Sequence, residues 1–287
     1  MTEFISDRPF PTHVRKASAG AGREARTSGS VRLAPSRLPP GARLLGPALV
    51  VLVWEAASRM GILSPYTLTA PSTAVVTGYE LLADGSLLPH LLASAGRAYA
   101  GLFLGVTVGV ILALLSGLTR SGEALIDGVV QIKRAVPTLA LIPLVIIWLG
   151  IGEAMKIFLI FTAVLVPVYI NTHAAIRGID IGHVELARTL GLTRSEFIRR
   201  VALPGALPGL FVSLRLAVTI CWTTLVVLEL INTQTGIGYL MNRARDWGQT
   251  DVIVVGIFIY AILGLVSDAL VRLIEARTLA YRRALGT

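Results

Sequence analysis

The sequence predicts an all-α membrane protein of about six transmembrane helices, and three observations carry that reading. Apolar residues make up 54% of the 287 positions and charged ones only 15%, against about 25% charged in ordinary soluble domains. The mean hydropathy is +0.73, and the apolar residues gather into six runs, roughly 44–57, 94–118, 135–151, 154–176, 206–231 and 252–271. The basic residues between those runs fall almost entirely on one side, as the positive-inside rule requires. This composition excludes a typical cytosolic enzyme, and Cys221, the only cysteine, excludes a disulfide scaffold.

Residues 1–43 hold eight basic side chains and three acidic ones, a balance of +5 within a total of +9. Rich in Pro, Gly and Ser and without apolar periodicity, they read as a disordered basic cytoplasmic tail. Such a tail suits anionic lipid and topology-setting better than nucleic acid. The run at 44–57 is a first transmembrane helix leading to an extracytoplasmic segment that ends near residue 93. Being short and preceded by basic residues, it also fits a cleaved signal segment. Glu55 and Arg59 stand i, i+4 and pair locally.

The second run repeats Gly101, Gly105 and Gly109, a bare face that lets another helix of the subunit approach closely. The third, Ala135 to Ile151, is bounded by Lys133 and Arg134, so residues 123–134 are expected along the interface. Arg120, the cluster from Arg177 to Arg200, and Arg272 to Arg283 share one face with the tail. Both termini are therefore expected in the cytoplasm, with Arg243 and Arg245 as exceptions on the far side.

Between the fourth and fifth runs lies a polar stretch, 180–204, with helix punctuation. Asp180 can cap a helix that Gly191 ends, and Thr193 with Glu196 forms a capping box before a second. Pro204 and Pro208 mark the return to the membrane. Two short capped helices on the cytoplasmic face make a rigid knob, and a docking surface is its physical reading.

Charged groups inside spans are functional candidates. In the fifth run Arg215, Thr219, Trp222, Val226 and Glu229 fall on one side of a helix, with the Thr223 hydroxyl beside them. Thr219, Trp222, Thr223, Val226 and Glu229 are the candidate translocation path; interhelical hydrogen bonding, with Arg215 snorkelling to the cytoplasm, is the competing reading. Arg97 and Asp268 read as structural, and Cys221 as a small hydrophobe. No metal-ligand spacing is present, and no G-x-x-x-x-G-K-[ST] loop, so ATP is not bound by this chain.

Glu185-Leu186-Ala187, three residues, Gly191, nine residues, Val201, one residue, then Leu203-Pro204 resembles the EAA loop of ABC importer permeases, departing from it at Leu186 and Val201 only. The likeness extends from Pro71 to Arg283. Ala70 to Val75, Arg134-Ala135-Val136-Pro137 with Ile142-Pro143-Leu144, Trp148 to Gly152, and Thr235 to Leu240 are similar to segments of the branch that imports sulfonates, taurine, nitrate and related small anions. The resemblance implies a type I importer core of five helices, at 94–287, plus one N-terminal helix, in a bacterial inner membrane. It implies that His183, Glu185, Ala187, Arg188, Gly191, Phe197, Leu203 and Pro204 couple to a separate ATPase, present in two copies. It also implies a second permease copy, an extracytoplasmic solute-binding protein, and no cofactor or catalysis in this chain. An ATP-independent secondary transporter or channel is the alternative; the broken, duplicated halves common in those proteins are not visible.

Overall fold

The computed structural model describes residues 42–231 and 233–280, all helix and connecting turns without strands among those residues. The tail expected at 1–43 thus lies outside the described residues up to position 41. Two compact units divide the chain: Met1–Pro47, described only from residue 42, and Ala48–Thr287, which is a helical bundle.

Helix α1, Ala42–Arg59, is followed by α2, Pro71–Ala83, and the 32-residue α3, Leu87–Leu118. The expected Glu55–Arg59 pair forms at 2.6 Å. Glu55 also accepts from the Ser72 amide and hydroxyl, at 3.0 and 2.7 Å, and so satisfies the start of α2.

After α4, Arg120–Gly122, and a π-helical turn, α5 covers Gly128–Ala135. Here the structure corrects the sequence reading, which took 135–151 as one span. Val136 precedes Pro137 and is extended (φ −89°, ψ 117°), because a residue before proline is driven out of the helical region. A short 3-10 turn, Thr138–Leu141, and α6, Ile142–Leu149, follow. The two arms, Arg120–Ala135 and Thr138–Leu149, meet at 90°.

The 25-residue α7, Glu153–Arg177, leads to α8, Ile181–Thr189, and α9, Arg194–Phe197. A π-turn then feeds α10, Leu203–Leu230; α11, Ile237–Asp246, and α12, Thr250–Thr278, complete the described chain. Among the described residues, four stretches are long and apolar enough to cross a membrane: 87–118, 153–177, 194–230 and 250–278. The elbow at 120–149 makes a fifth if its two arms count as one. Helix α1 has the length, 18 residues, but carries Arg43, Glu55 and Arg59 and so falls outside that set; the expected count of six is met here only as four or five.

The core forms where α3, α7 and α10 meet, around Ala98, Leu159, Ile160, Val164, Val168, Ala217, Cys221 and Leu225. The glycine stripe performs the expected task inside the subunit. A Cβ on Gly101 would stand 2.5 Å from Ile160 Cγ2, and one on Gly105 would stand 2.6 Å from Val164 Cγ1. Outward, Phe103, Ile111, Leu115, Ile257 and Leu265 are all at least half exposed. Such a surface is costly in water and neutral against lipid chains.

Candidate functional site

Three features stand out from this bundle: a polar cluster at one end, a knob at the other, and the α10 face between them.

The polar cluster centres on Glu229, buried near the end of α10 with 1% exposure. Its carboxylate accepts from Arg97 Nη1 at 2.6 Å, the Ser94 hydroxyl at 2.7–2.8 Å, the Tyr260 hydroxyl at 2.7 Å and the Gly238 amide at 3.0 Å. Arg97 in turn uses its full set of five N–H donors. Nε and Nη2 hold Glu153 at 2.5 and 2.8 Å, Nη1 holds Glu229 and the Thr235 carbonyl, and Nη2 also reaches the Thr235 hydroxyl. Lys156 adds a second cation, 3.2 Å from Glu153. Two cations and two carboxylates make the cluster neutral, which is the condition for burying it.

The Thr235-Gly236-Ile237-Gly238 loop is shaped by this cluster. Gly236 has φ +122°, and a Cβ there would stand 2.6 Å from both Arg97 Nη1 and Glu229 Cδ; on Gly238 it would stand 2.5 Å from Glu229 Cβ. The glycines are there because backbone must touch carboxylate. The Ile237 amide donates to Ser94 Oγ and the Gly236 amide to His90 Nδ1, at 2.9 and 3.1 Å. The cluster therefore joins α3, α7, α10, α12 and the loop before α11.

At the opposite end, the knob follows its punctuation. The Asp180 side chain accepts from the Gly182 amide, and Thr193 with Glu196 forms the full capping box. Gly191 is left-handed (φ +66°). Its amide donates to the Arg188 carbonyl and the Leu192 amide to the Ala187 carbonyl, both at 3.0 Å, which is a Schellman ending. The second helix departs from expectation: 194–230 forms one helical stretch that includes the π-turn 198–202, so the knob is continuous with a span. Of the predicted coupling residues, His183, Glu185, Arg188 and Gly191 are exposed, as is Leu203 at 37%, and Phe197 and Pro204 are half-buried. Ala187 is buried, and it meets Arg188 and Phe197 in a groove of about 250 Å³ with Leu118, Leu192 and Ile198. Leu186 and Leu190, one turn apart, are 58% and 66% exposed.

The α10 face divides. Thr219 and Thr223 are exposed and Val226 half-buried, whereas Trp222 and Glu229 lie inside the subunit. Trp222 Nε1 donates to Ser267 Oγ at 3.1 Å, between the rings of Tyr99 and Tyr260. The helical arc drawn from sequence straddles the line where α12 covers α10, so Trp222 and Glu229 do not open onto that face. Arg215 forms an ion pair with Glu275 of α12. Asp268 pairs with Arg272 at 2.9 Å.

Sequence reasoning missed that Arg97, Glu153, Lys156 and Glu229 form one cluster. The available signal was their shared position at the same end of three predicted spans, since intramembrane charges need partners. Among the described residues, no group of His, Cys, Asp or Glu is placed to hold a metal ion.

Comparison with known proteins fixes the family. Residues 105–280 match the family described as the binding-protein-dependent transport system inner membrane component. The chain belongs to that family. A putative aliphatic sulfonates transport permease protein of Escherichia coli (strain K12) is 46% identical over 254 residues, covering 88% of this chain and 94% of that one. Its counterpart in Bacillus subtilis (strain 168) is 38% identical, over 94% of this chain and 98% of that one. A taurine transport system permease of Escherichia coli (strain K12) is 32% identical, with coverages of 80% and 86%. Among solved structures, a bacterial ABC transporter involved in import of the acidic polysaccharide alginate shares the fold, with TM-score 0.59 at 17% identity, over 82% of this chain and 94% of that one. The chain is thus a multi-pass, non-catalytic permease subunit of an ABC transporter, whose ATPase is a separate polypeptide. The reading as an ATP-independent transporter is not favoured.

Proposed function

We propose that this chain forms the membrane pathway of a bacterial inner-membrane importer for small organic sulfonates, taurine among the class. The exposed, rigidly capped knob at 180–204 carries the coupling part of the reading. Its Schellman ending and capping box fix a docking shape before any partner arrives, and its second helix runs unbroken into α10. A push on α8 from the ATPase would therefore reach α10 as a rigid-body displacement. Glu185 and Arg188 offer the charges of the contact, and Leu186 and Leu190 its apolar surface. Relatives named for aliphatic sulfonates and taurine support the substrate class.

In this reading a second copy of the permease, two ATPases and an extracytoplasmic binding protein complete the transporter. The helix α1, α3, the elbow, α7, α10 and α12 make six crossings, with both termini cytoplasmic and the Glu229 cluster toward the outside. Residues 44–93 form the first span and outer segment, and 94–287 the permease core. ATP acts only at the partner, and no cofactor is held here. Thr219, Thr223 and Val226 remain the candidate path on α10.

Mild extraction from native membranes with a C-terminal tag, followed by mass spectrometry, tests the assembly. A Walker-motif ATPase recovered with the wild type and lost with Gly191→Trp is the expected result. A permease recovered alone, moving solute in vesicles without ATP, would overturn it.

A further inference from the structure

The inside of the 90° elbow holds a cavity of about 610 Å³, walled by α5, the 3-10 turn, the middle of α7 and α10. Pro167, on its α7 wall, lies 14 residues into a 25-residue helix, about 21 Å along the span. The cavity therefore reaches the middle of α7. Two adjacent cations, Lys133 and Arg134, line it, and no carboxylate does. Lys133 Nζ donates to Thr138 Oγ1 at 2.7 Å, a neutral partner that leaves its charge uncompensated. Arg134 has no hydrogen bond or ion pair among the described residues. The Glu229 cluster matches its charges internally, whereas half-buried Lys133 and exposed Arg134 face the cavity without a carboxylate, an arrangement that suits an anion.

A third group points the same way. Thr224 lines the cavity from α10 and is 8% exposed. Its hydroxyl makes no hydrogen bond among the described residues, although Thr219 and Thr223 both bond back to their own helix. The remaining wall is mostly aliphatic, with Val136, Leu139, Val166 and Ile170 among its residues. A cationic end with a hydroxyl donor and an apolar wall suits an amphiphilic anion better than a bare inorganic one.

From this geometry we infer that the elbow cavity is a substrate-binding site for an alkanesulfonate, its sulfonate oxygens on Lys133, Arg134 and Thr224 and its alkyl chain on the aliphatic wall. The inference rests on the permease reading above and gives it a location. Lys133 stays anchored through Thr138, so the elbow angle sets the spacing of the cations. Any change of that angle during the transport cycle would alter affinity.

The test is ATP-driven uptake of radiolabelled butanesulfonate by proteoliposomes holding the full transporter with its binding protein. Arg134→Gln and Lys133→Gln are each expected to raise the substrate KM about tenfold or more. Thr224→Val should raise it severalfold, while Arg134→Lys restores much of the loss. Arg272→Gln, outside the cavity, should leave KM unchanged. Co-purification of the ATPase with each variant should match wild type, separating weak binding from failed assembly. Unchanged KM in all three cavity variants, with normal wild-type uptake, would overturn the site and leave the permease reading standing. Wild-type uptake of sulfate or nitrate with none of butanesulfonate would overturn the ligand class. No ATP-dependent uptake of any solute by the wild type would instead overturn the permease reading itself.

Discussion

Arg97 and Glu229 form an ion pair of 2.6 Å with side chains only 4% and 0% exposed. It is the shortest link between α3 and the end of α10, and everything around it is arranged to keep both charges satisfied. Glu153 shares the guanidinium, and Tyr260, Ser94 and the Gly238 amide share the carboxylate. A buried pair contributes little when compared with a well-packed apolar pair of the same volume. Removing one member is different, because the other is left charged without a partner. The pair therefore constrains geometry: it holds the 235–238 loop against three helices.

Arg97→Gln should destabilise the protein by about 3–5 kcal/mol, since it strands Glu229 and frees Glu153. Thermal unfolding in detergent measures this. Pairing Arg97→Gln with Glu229→Gln should recover part of the loss, because two amides can hydrogen-bond without a buried charge. Strictly additive losses would show that the two residues do not act as a pair.

The Gly236 position tests whether the loop is built around the carboxylate. An alanine there adds a Cβ 2.6 Å from Glu229 Cδ and must hold φ at +122°. Gly236→Ala should cost about 1–3 kcal/mol, and Gly248→Ala, with φ +70° but open space around its Cβ, should cost less. Equal effects of the two would assign the penalty to backbone conformation alone.

How much of this was legible in the sequence depends on the range of the interactions. The knob was read closely, because Asp180, Gly191, Thr193 and Glu196 act on backbone within a few residues of themselves. The glycine stripe was legible as a close approach, though α7 as its partner was not. The 90° bend of the elbow was not legible, because apolar composition hides Pro137, whose effect on Val136 is conformational. The Glu229 cluster was missed for a different reason. Its charged members are separated by up to 132 residues, and only the fold shows that Glu229 faces inward.

Coupling makes its own prediction at Gly191. Nothing lies within 4 Å of a Cβ there, so the requirement is the left-handed φ of +66° and the shape presented outward. Gly191→Asn, which tolerates that conformation, should retain ATPase co-purification, whereas Gly191→Trp should lose it with normal membrane insertion. Leu186→Asp, at an exposed site, should also weaken the association without lowering the melting temperature. Retention of the ATPase by both Gly191→Trp and Leu186→Asp would remove α8 from the contact.

Trp222 and Thr223 are neighbours on α10 with opposite surroundings, and that contrast separates packing from transport. Trp222 is buried and bonded to Ser267, so Trp222→Phe loses a buried hydrogen bond and volume, and should cost about 1–3 kcal/mol. Thr223 is exposed, and its hydroxyl lies 3.0 and 3.1 Å from the carbonyls of Thr219 and Ile220 on its own helix. Thr223→Leu removes no tertiary bond and suits a helix, so its melting temperature should stay near wild type. If this face borders the solute path, the added bulk should lower uptake severalfold at unchanged ATPase association. Phe103→Leu, on the exposed side of α3, provides the comparison for a change of apolar surface alone. Normal uptake by Thr223→Leu would remove the face from the path, since no loss of stability would be available to mask an effect.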